Sequence, residues 1–499
     1  MSLTDRVAKA IANPATDDAF DPHAEFEEVL AGIGMTPDDT GGAIGFIGAD
    51  PVVPSTLRLG GAAAIALATK AAAVAKLWRH RGGDGQDIAV DLRVTPHRLC
   101  PSYDSKWELI NGYPGAAPSM PNDAFAFGFY RTADDRWVMP LNPYPRPKVA
   151  AQRVLGVPED VNAVAAAISK WKARDLEDAA AQGGAVIPMV RFADELLAEE
   201  HYQQVLADLP LIEITKIADS DPEPFTQRGV QPLDGIRALG MGHVIAGAGT
   251  GRALALHGAD VLNLWRHDEI EHEVTYITAN VGVRSATLHP AWPDGMSKIH
   301  SLLRGADVFF ANRRPGYLTK IGMDVHQAAE IRPGIIHATA SLNGETGPWV
   351  NRTGFDHTAG CLTGMMHLEG TPEKPALPPI LVVNDYMVAW LMTAGIIEAL
   401  IRRATEGGSY RVHVSLTRTA LWMLSMGVFD KQYAHEIAGT GGPHAYLDPQ
   451  VFTADTPLGF YQGVTEQVLM TRTPGYYRQV LVPRGSSRPE WDSFSAGRK

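Results

Sequence analysis

Asp385 is the residue whose type and position in this sequence point most directly to chemistry. It stands where a run of β-forming residues, 380–383, gives way to the three- and four-residue apolar spacing of a helix from Tyr386 onward. As a helix N-cap, an aspartate here needs no chemical role, because its oxygens bond free backbone amides. As a carboxylate beside apolar residues and Trp390, it is expected to be ionised at neutral pH but poorly hydrated, which suits a nucleophile. The residues alone leave both interpretations open.

Positive charges follow two predicted strands upstream of Asp385. Arg266 ends one strand, and a basic turn follows a later one. The basic residues in and just after that turn are Arg313, Arg314 and Lys320. Ligands bind at the carboxyl ends of strands in open α/β sheets, so local positive charge there predicts an anionic ligand. Arg266 suits a phosphorylated ribose, which coenzyme A and NADP both carry, whereas a solvated surface explains the same residues without a ligand.

The segment 236–268 only partly matches a dinucleotide-binding fingerprint. Gly247 and Gly249 follow a strand and open a helix, but Arg252 stands where the third glycine is required. The second strand also ends in "NLWRH" rather than in an acid that would bind a ribose hydroxyl. An NADP-dependent oxidoreductase is therefore disfavoured.

The elements that must position these residues predict an α/β protein. From Pro232 onward, strand-like runs alternate with helical runs, which is the pattern of βαβ units and a mostly parallel sheet. We expect a Rossmann-like large domain with such a sheet, plus a smaller α+β domain with a hairpin at 126–140. The predicted ranges are a partial large-domain unit at 1–100, the small α+β domain at 101–210, a linker at 211–231, the Rossmann-like domain with Asp385 at 232–430 and an extended C-terminal tail at 431–499.

One supersecondary unit occurs twice, so that the first 100 residues repeat the unit at 360–419. The stretches "WRHRGGDGQDIAVDL" and "RRATEGGSYRVHVSL" align Arg79 with Arg403, at a shift of 324 residues. The residue 324 positions before Asp385 is Gly61. If Asp385 is catalytic, the first copy is a scaffold that lacks the reactive group.

Composition excludes several classes of function. The chain has 499 residues, 45% of them hydrophobic, enough to bury large cores in two or more domains. A net charge of −12 argues against general binding to nucleic acid or anionic membranes. Cys100 and Cys361 are too few for a disulfide framework and fit a reducing compartment.

Targeting and metal-binding signals are not evident in the sequence. The N-terminus lacks an apolar signal core, and no 18-residue stretch is free of charges or helix breakers. The 17 histidines show no pair at ligand spacing with a convincing third partner. We therefore expect a cytoplasmic protein that uses no metal and does not bind a membrane.

Four spaced motifs resemble the class III CoA-transferases of the CaiB/BaiF type, a superfamily that includes formyl-CoA transferase and α-methylacyl-CoA racemase. The motifs are residues 232–266, 302–324, 332–356 and the Asp385 unit at 375–419. The resemblance is strong over 232–419 and weaker over 25–210. It implies the family's α/β fold, acyl-CoA and a carboxylic acid as substrates, and a homodimer.

In the family, the aspartate that matches Asp385 attacks an acyl-CoA thioester to give a mixed anhydride. CoA then forms an aspartyl thioester, and the acceptor acid takes the CoA. A carboxylate suits this role because its unperturbed pKa is about 4, so it needs no separate base. The resemblance and the basic turn together predict coenzyme A contacts at His243, Val244, Ala246, Arg266, Arg313 and Lys320.

A racemase or isomerase of the same superfamily is the alternative. Racemases have a His-Asp pair where this chain has Phe355 and Asp356, so the proton-shuttling histidine is absent from its matched position. His357 lies one residue further on and would substitute only in a rearranged loop. Glu345, in a Gly-rich turn, is either a substrate contact or a solvated acid.

The order of parts departs from that of the family. The copy that lacks the aspartate comes first and the small domain follows it, as in a permutation with overlap or a fused duplication. This order leaves open whether the family's interlocked dimer survives and whether the small domain reaches Asp385 in cis or from a partner. It also leaves open a protein that binds CoA without turnover.

Overall fold

The computed structural model describes residues 1–116, 123–225 and 229–491, and the parts of the predicted small domain, linker and tail that fall in the gaps lie outside the described residues. The α-helices are α1 Leu3–Ala12, α2 Pro22–Ala31, α3 Leu59–His80, α4 Pro96–Leu99, α5 Pro145–Leu155, α6 Val161–Ile168, α7 Ala173–Gly183, α8 Ala193–Leu197, α9 Ala246–Leu256, α10 Glu273–Ala279, α11 Gly295–Arg304, α12 Tyr317–Lys320, α13 Val325–Ile331, α14 Asp356–Thr363, α15 Met365–Glu369, α16 Asp385–Glu406, α17 Leu416–Ser425 and α18 Lys431–Ile437. The strands are β1 Ile44–Ile47, β2 Ile88–Asp91, β3 Leu109–Ile110, β4 Tyr113–Pro114, β5 Tyr130–Arg131, β6 Trp137–Val138, β7 Glu213–Ala218, β8 Arg237–Met241, β9 Asp260–Trp265, β10 Arg284–Thr287, β11 Val308–Ala311, β12 Ile336–Ser341, β13 Ser409–Ser415, β14 Val451–Thr456, β15 Gly459–Val464 and β16 Val468–Met470.

A seven-stranded sheet forms the centre of the large domain. Its order is β10-β9-β8-β11-β12-β13-β7, and every pairing is parallel except that of β13 with β7. Helices cover the sheet, and the central strands are apolar on both faces, as the fully buried β11 shows. The predicted α/β fold with a mostly parallel sheet is confirmed, and the carboxyl ends of β8, β9, β11 and β12 lie along one edge.

The two copies of the repeated unit pack against each other. Helices α3 and α16 each have 22 residues and precede β2 and β13, respectively. Lys76 of α3 donates to Glu398 of α16 at 2.8 Å. Helix α3 is long and apolar enough to span a membrane by length and composition alone, but 94% of its apolar window is buried inside the protein. Its apolar length is therefore accounted for by packing in this core.

Residues 123–190 have a hydrophobic core of their own. It contains Phe125, Val138, Ile168 and Leu176. The predicted hairpin forms as β5 paired with β6. Helices α6 and α7 follow the hairpin and are separated by residues 169–172.

Three sequence predictions about local structure are wrong. Residues 380–383 form no strand but turn sharply, and Leu381 has a φ of 64°. The range 211–231 is more than a linker, because β7 lies in it and extends the large sheet by pairing with β13. The tail is more than an extended segment, since it contains α18, a β14–β15 hairpin and β16, which pairs with β2.

Candidate active site

Asp385 lines a cavity of about 700 Å³ at the carboxyl edge of the large sheet. This space is called the Asp385 cavity below. Five of the predicted coenzyme A contacts also line it: His243, Val244, Ala246, Arg266 and Arg313. Lys320 is not among the described residues that line it, and its side chain is exposed at the end of α12.

The carboxylate of Asp385 is not the cap of its helix. Asn384 is the N-cap residue, and α16 begins at Asp385 itself. The carboxylate of Asp356 accepts the backbone N–H groups of Val383 at 3.2 Å, Asn384, and Asp385 at 2.9 Å. The predicted N-cap role therefore belongs to Asp356, which leaves the Asp385 carboxylate without a hydrogen-bond donor among the described residues.

The first copy of the unit has a matching arrangement. The carboxylate of Asp50 accepts the backbone N–H groups of Gly60 at 3.1 Å and Gly61 at 2.6 Å, at the start of α3. Asp50 thus has the capping role that Asp356 has in the second copy. Since Gly61 stands where Asp385 does, the first copy keeps the cap and lacks the free carboxylate.

Burial and charge act together on Asp385. Desolvation raises its pKa well above the ordinary value, and the negative charge of Asp356 raises it further. The raised pKa disfavours ionisation, whereas the sequence led us to expect an Asp385 that is ionised at neutral pH. A cation or an ordered hydrogen-bond donor near the carboxylate would lower this pKa and favour ionisation.

Side-chain amides hold the turn between β8 and α9 at the rim of the cavity. Asn263 exchanges two hydrogen bonds with the backbone of Gly242, at 2.8 and 2.9 Å. Asn312 exchanges two with the backbone of His243, at 2.9 and 2.8 Å. Val244 has a φ of 58°, and a side chain at Gly247 would clash with Asn312. These contacts place the first turn of α9 against the cavity.

Tyr144 and Glu271 join the 101–210 segment to this turn. The Tyr144 hydroxyl donates to Glu271 at 2.6 Å, and the same carboxylate accepts the Val244 N–H at 2.9 Å. The Phe355 ring stacks on Tyr144 with the centroids 6.0 Å apart. Burial, the charge of Glu271 and then that of Asp385 raise the pKa of Tyr144. Residues from the predicted small domain therefore reach the Asp385 cavity within one chain.

Acidic partners neutralise several of the arginines that line the cavity. Arg266 donates to Asp268 at 3.0 Å, Arg146 donates to the same carboxylate at 2.7 Å, and Arg313 pairs with Glu269. An incoming phosphate would compete with these carboxylates for the guanidinium groups. Sequence reasoning missed Tyr144, Arg146 and Glu271, because their contacts join segments more than 100 residues apart.

Other residues singled out in the sequence have defined surroundings. Glu345 lines the cavity, where it accepts from Thr339 at 2.6 Å and pairs with Arg411 at 2.9 Å. Phe355 lines the cavity as well, whereas His357 is buried and is not among the described lining residues. Burial lowers the pKa of His357.

Three potential metal ligands lie just outside Arg266. Ligand atoms of His267, Asp268 and His289 fall within 4.8 Å of one another. However, Asp268 is paired with Arg146 and Arg266, and Nδ1 of His289 accepts the N–H of Ala291 at 3.0 Å. That the protein uses no metal stays a prediction.

Comparison with known proteins finds a family match over part of the chain. Residues 233–462 match the model of CoA-transferase family III. This match covers less than half of the chain, and it confirms the resemblance drawn from the sequence motifs over that region.

The relatives and a solved structure are similar over part of their length. Acetyl-coenzyme A transferase nodX of Hypoxylon pulicicidum is 26% identical over 337 residues, which are 62% of this chain and 56% of the relative. The succinyl-CoA–L-malate CoA-transferase alpha subunit of Chloroflexus aurantiacus is 27% identical over 46% of this chain and 59% of its own length. A CaiB/BaiF family protein from Brucella suis is 24% identical over 46% of this chain and 65% of that chain, with a TM-score of 0.35. The chain thus spans about half the length of the curated relatives it matches.

Proposed function

We propose that this protein transfers coenzyme A from an acyl-CoA thioester to a carboxylic acid through a covalent intermediate on Asp385. The observation that carries the proposal is that two aspartates have different roles, one at the helix start and one at the cavity. Asp356 caps α16, so the Asp385 carboxylate faces the cavity without a structural hydrogen bond from the described residues. A carboxylate in that position is available as a nucleophile. The family of residues 233–462 supports CoA transfer as the reaction class.

Once Asp385 is ionised, the chemistry needs no separate proton donor or acceptor. The ionised carboxylate attacks the thioester carbonyl, the C–S bond breaks and CoA leaves as a thiolate, which gives a mixed anhydride. The thiolate attacks the carbonyl carbon of Asp385, which releases the donor acid and forms an aspartyl thioester. The acceptor carboxylate repeats these steps in reverse, and Asp385 is regenerated.

The cavity wall supplies the binding groups. His243, Val244 and Ala246 would lie against the pantetheine and pyrophosphate, and Arg266 would bind the phosphorylated ribose. Arg313 would add charge on the same side. Lys320 is proposed as a weaker, peripheral contact, because its side chain is exposed and outside the described lining.

Racemisation is the second candidate and is less well supported. A racemase needs a proton acceptor at the cavity, and the matched position holds Phe355. The nearby His357 is buried, and the centroid of its ring lies 4.6 Å from that of Phe127. A homodimer remains a prediction.

An isotope-exchange assay tests the proposal. Unlabelled acyl-CoA would be incubated with the 13C-labelled form of the same acid, across a panel of acyl groups, and labelled acyl-CoA measured by mass spectrometry. We expect exchange with at least one acyl group and none with Asp385→Ala. Asp160→Asn, which alters the cap of α6 away from the cavity, is the matched control and should exchange normally. Exchange that persists in Asp385→Ala would overturn the proposal.

A further inference from the structure

The face of the large sheet beneath the cavity carries a second group of reactive side chains. Ser341 is the last residue of β12, and His413 lies on the adjacent strand β13. Glu213, at the start of β7, pairs directly with His413 across the sheet. Ser341 lines the Asp385 cavity and is half-buried.

Hydrogen bonds fix the direction of the Ser341 hydroxyl. Its Oγ lies 2.9 Å from Nε2 of His413, and it accepts the backbone N–H of Gly344 at 2.9 Å. Because an N–H already donates to the oxygen, the hydroxyl proton is free to point at Nε2. His413 then accepts on Nε2 and carries its own proton on Nδ1.

The other side of the imidazole faces a carboxylate. Nδ1 of His413 lies 3.7 Å from Oε2 of Glu213, and it has no hydrogen-bond partner among the described residues. Arg411 holds the same carboxylate oxygen at 3.1 Å. The Nδ1–carboxylate contact is longer than a hydrogen bond, and a shift of less than about 1 Å would close it, as happens when ligands tighten catalytic contacts.

The electrostatic setting favours a neutral imidazole. Burial lowers the pKa of His413, and the charge of Arg411 lowers it as well, while Glu345 and Glu213 act in the opposite direction. A neutral histidine bonded to a hydroxyl can accept its proton. The set therefore combines a nucleophile, a base and a carboxylate that orients the base.

We propose that Ser341, His413 and Glu213 form a hydrolytic triad that cleaves acyl thioesters in the Asp385 cavity. The substrate class rests on the proposed function, because the cavity is where acyl-CoA would bind. The Ser341 oxygen attacks the thioester carbonyl, its proton passes to Nε2 of His413, and the C–S bond breaks. His413 returns that proton to the CoA sulfur. Water then cleaves the acyl-serine ester in the same way, so thioester and water give acid and free CoA.

Covalent labelling tests the nucleophile independently of coenzyme A. The full chain would be treated with a fluorophosphonate, and the modified residue located by peptide mass spectrometry. We expect one adduct, on Ser341, absent in Ser341→Ala and formed about 100-fold more slowly in His413→Gln. Absence of an adduct on Ser341 in the folded native chain would overturn the proposal.

A cysteine variant tests the same site with a smaller reagent, in case the fluorophosphonate does not fit the cavity. In Ser341→Cys, His413 would activate the introduced thiol, so iodoacetamide should modify it faster than Cys100 or Cys361. Both natural cysteines are buried, and burial raises the pKa of Cys100 to about 11. Alkylation of the introduced thiol no faster than that of the two natural cysteines would contradict an activating base.

Hydrolysis in the absence of Asp385 separates the two proposals. Asp385→Ala blocks the transfer route, so residual hydrolysis of acyl-CoA in that variant should fall about 100-fold when Ser341→Ala is added. p-Nitrophenyl acetate provides an ester substrate that does not need the coenzyme A contacts, and its hydrolysis should fall in parallel. Equal rates in the single and double variants with both substrates would overturn the triad, whatever the outcome for transfer.

Discussion

The backbone N–H of Asp385 donates to the carboxylate of Asp356 at 2.9 Å. This bond anchors the first turn of α16 to a residue 29 positions earlier in the chain. It satisfies a free backbone N–H at the start of the helix without using the Asp385 side chain. It also places a second negative charge beside that side chain. Asp356 therefore takes the capping role in place of the Asp385 carboxylate, and its charge adds to the effect of burial in raising the pKa of Asp385.

Replacing Asp356 should shift the pH dependence of Asp385. Asp356→Asn keeps an acceptor for the amides but removes a charge that raises the pKa of Asp385, so that pKa should fall. Because only the ionised carboxylate attacks, the acidic limb of the profile of adduct formation against pH should move to lower pH. Asp160→Asn removes a capping carboxylate from α6 and should leave the limb in place. A limb that stays fixed in Asp356→Asn would contradict this electrostatic role.

Arg266 and Lys320 should differ in their contribution to coenzyme A binding. Arg266 lines the cavity and Lys320 does not. Arg266→Ala should weaken binding of CoA about tenfold, which corresponds to about 1.4 kcal/mol, and Lys320→Ala less than about twofold. Calorimetry with dephospho-CoA gives the control, since the loss in Arg266→Ala should disappear when the ribose phosphate is missing. Equal losses for both ligands would show that Arg266 does not bind that phosphate.

Tyr144 should stabilise the junction between the 101–210 segment and the large domain. Tyr144→Phe removes the hydroxyl that donates to Glu271 at 2.6 Å, a bond to a charged group worth about 1.5–3 kcal/mol. Tyr130→Phe is the matched variant, because that hydroxyl donates to the neutral carbonyl of Ala124 at 3.0 Å and should cost about 0.5–1.5 kcal/mol. Denaturant unfolding measures both, and a smaller loss for Tyr144→Phe than for Tyr130→Phe would contradict the assignment.

Glu177 should make stability depend on acid pH. Burial alone would raise its pKa, but hydrogen bonds and charges of Arg191 and Arg352 outweigh burial and lower the pKa to about 2. Its unfolded pKa is about 4.3, so its stabilisation is complete above that pH and is lost as pH falls toward about 2. Glu177→Gln should cost about 1.5–3 kcal/mol at about pH 7, because Arg191 stays buried and keeps Glu199 as its acidic partner.

The control for Glu177 is a more exposed pair of the same type. Glu195 accepts two hydrogen bonds from Arg136, at 2.7 and 2.6 Å, with both side chains more than a quarter exposed. Glu195→Gln should cost about 1 kcal/mol or less. The difference between native protein and Glu177→Gln should shrink below about pH 4 in thermal unfolding, and a constant difference down to about pH 2 would refute the assignment.

Local sequence patterns were sufficient to predict the parallel sheet and the long helix α16. Alternating strand and helix runs predicted the parallel sheet. The apolar spacing from Tyr386 onward predicted a helix, which the structure has as the 22-residue α16. The run 380–383 was misjudged, because β-branched residues favour strands only where a partner strand is available. There the chain instead turns to present its amides to Asp356.

Long-range contacts explain what the sequence did not reveal about the site. Most of the predicted binding residues share one cavity, since each follows a strand of the same sheet. Tyr144 and Glu271, 127 residues apart, form one bonded pair, and no local spacing connects them. The pKa of Asp385 also depends on a residue, Asp356, whose proximity no periodicity predicts.

Mass spectrometry of the protein after incubation with a panel of acyl-CoAs tests the central claim most directly. We predict an acyl or CoA adduct on the peptide that contains Asp385, removed by hydroxylamine and absent in Asp385→Ala. Asp385→Ala should still bind CoA in calorimetry, which would show that its site remains folded. If CoA binds the native protein but no hydroxylamine-sensitive adduct forms on Asp385 with any acyl-CoA, the covalent transfer mechanism is wrong.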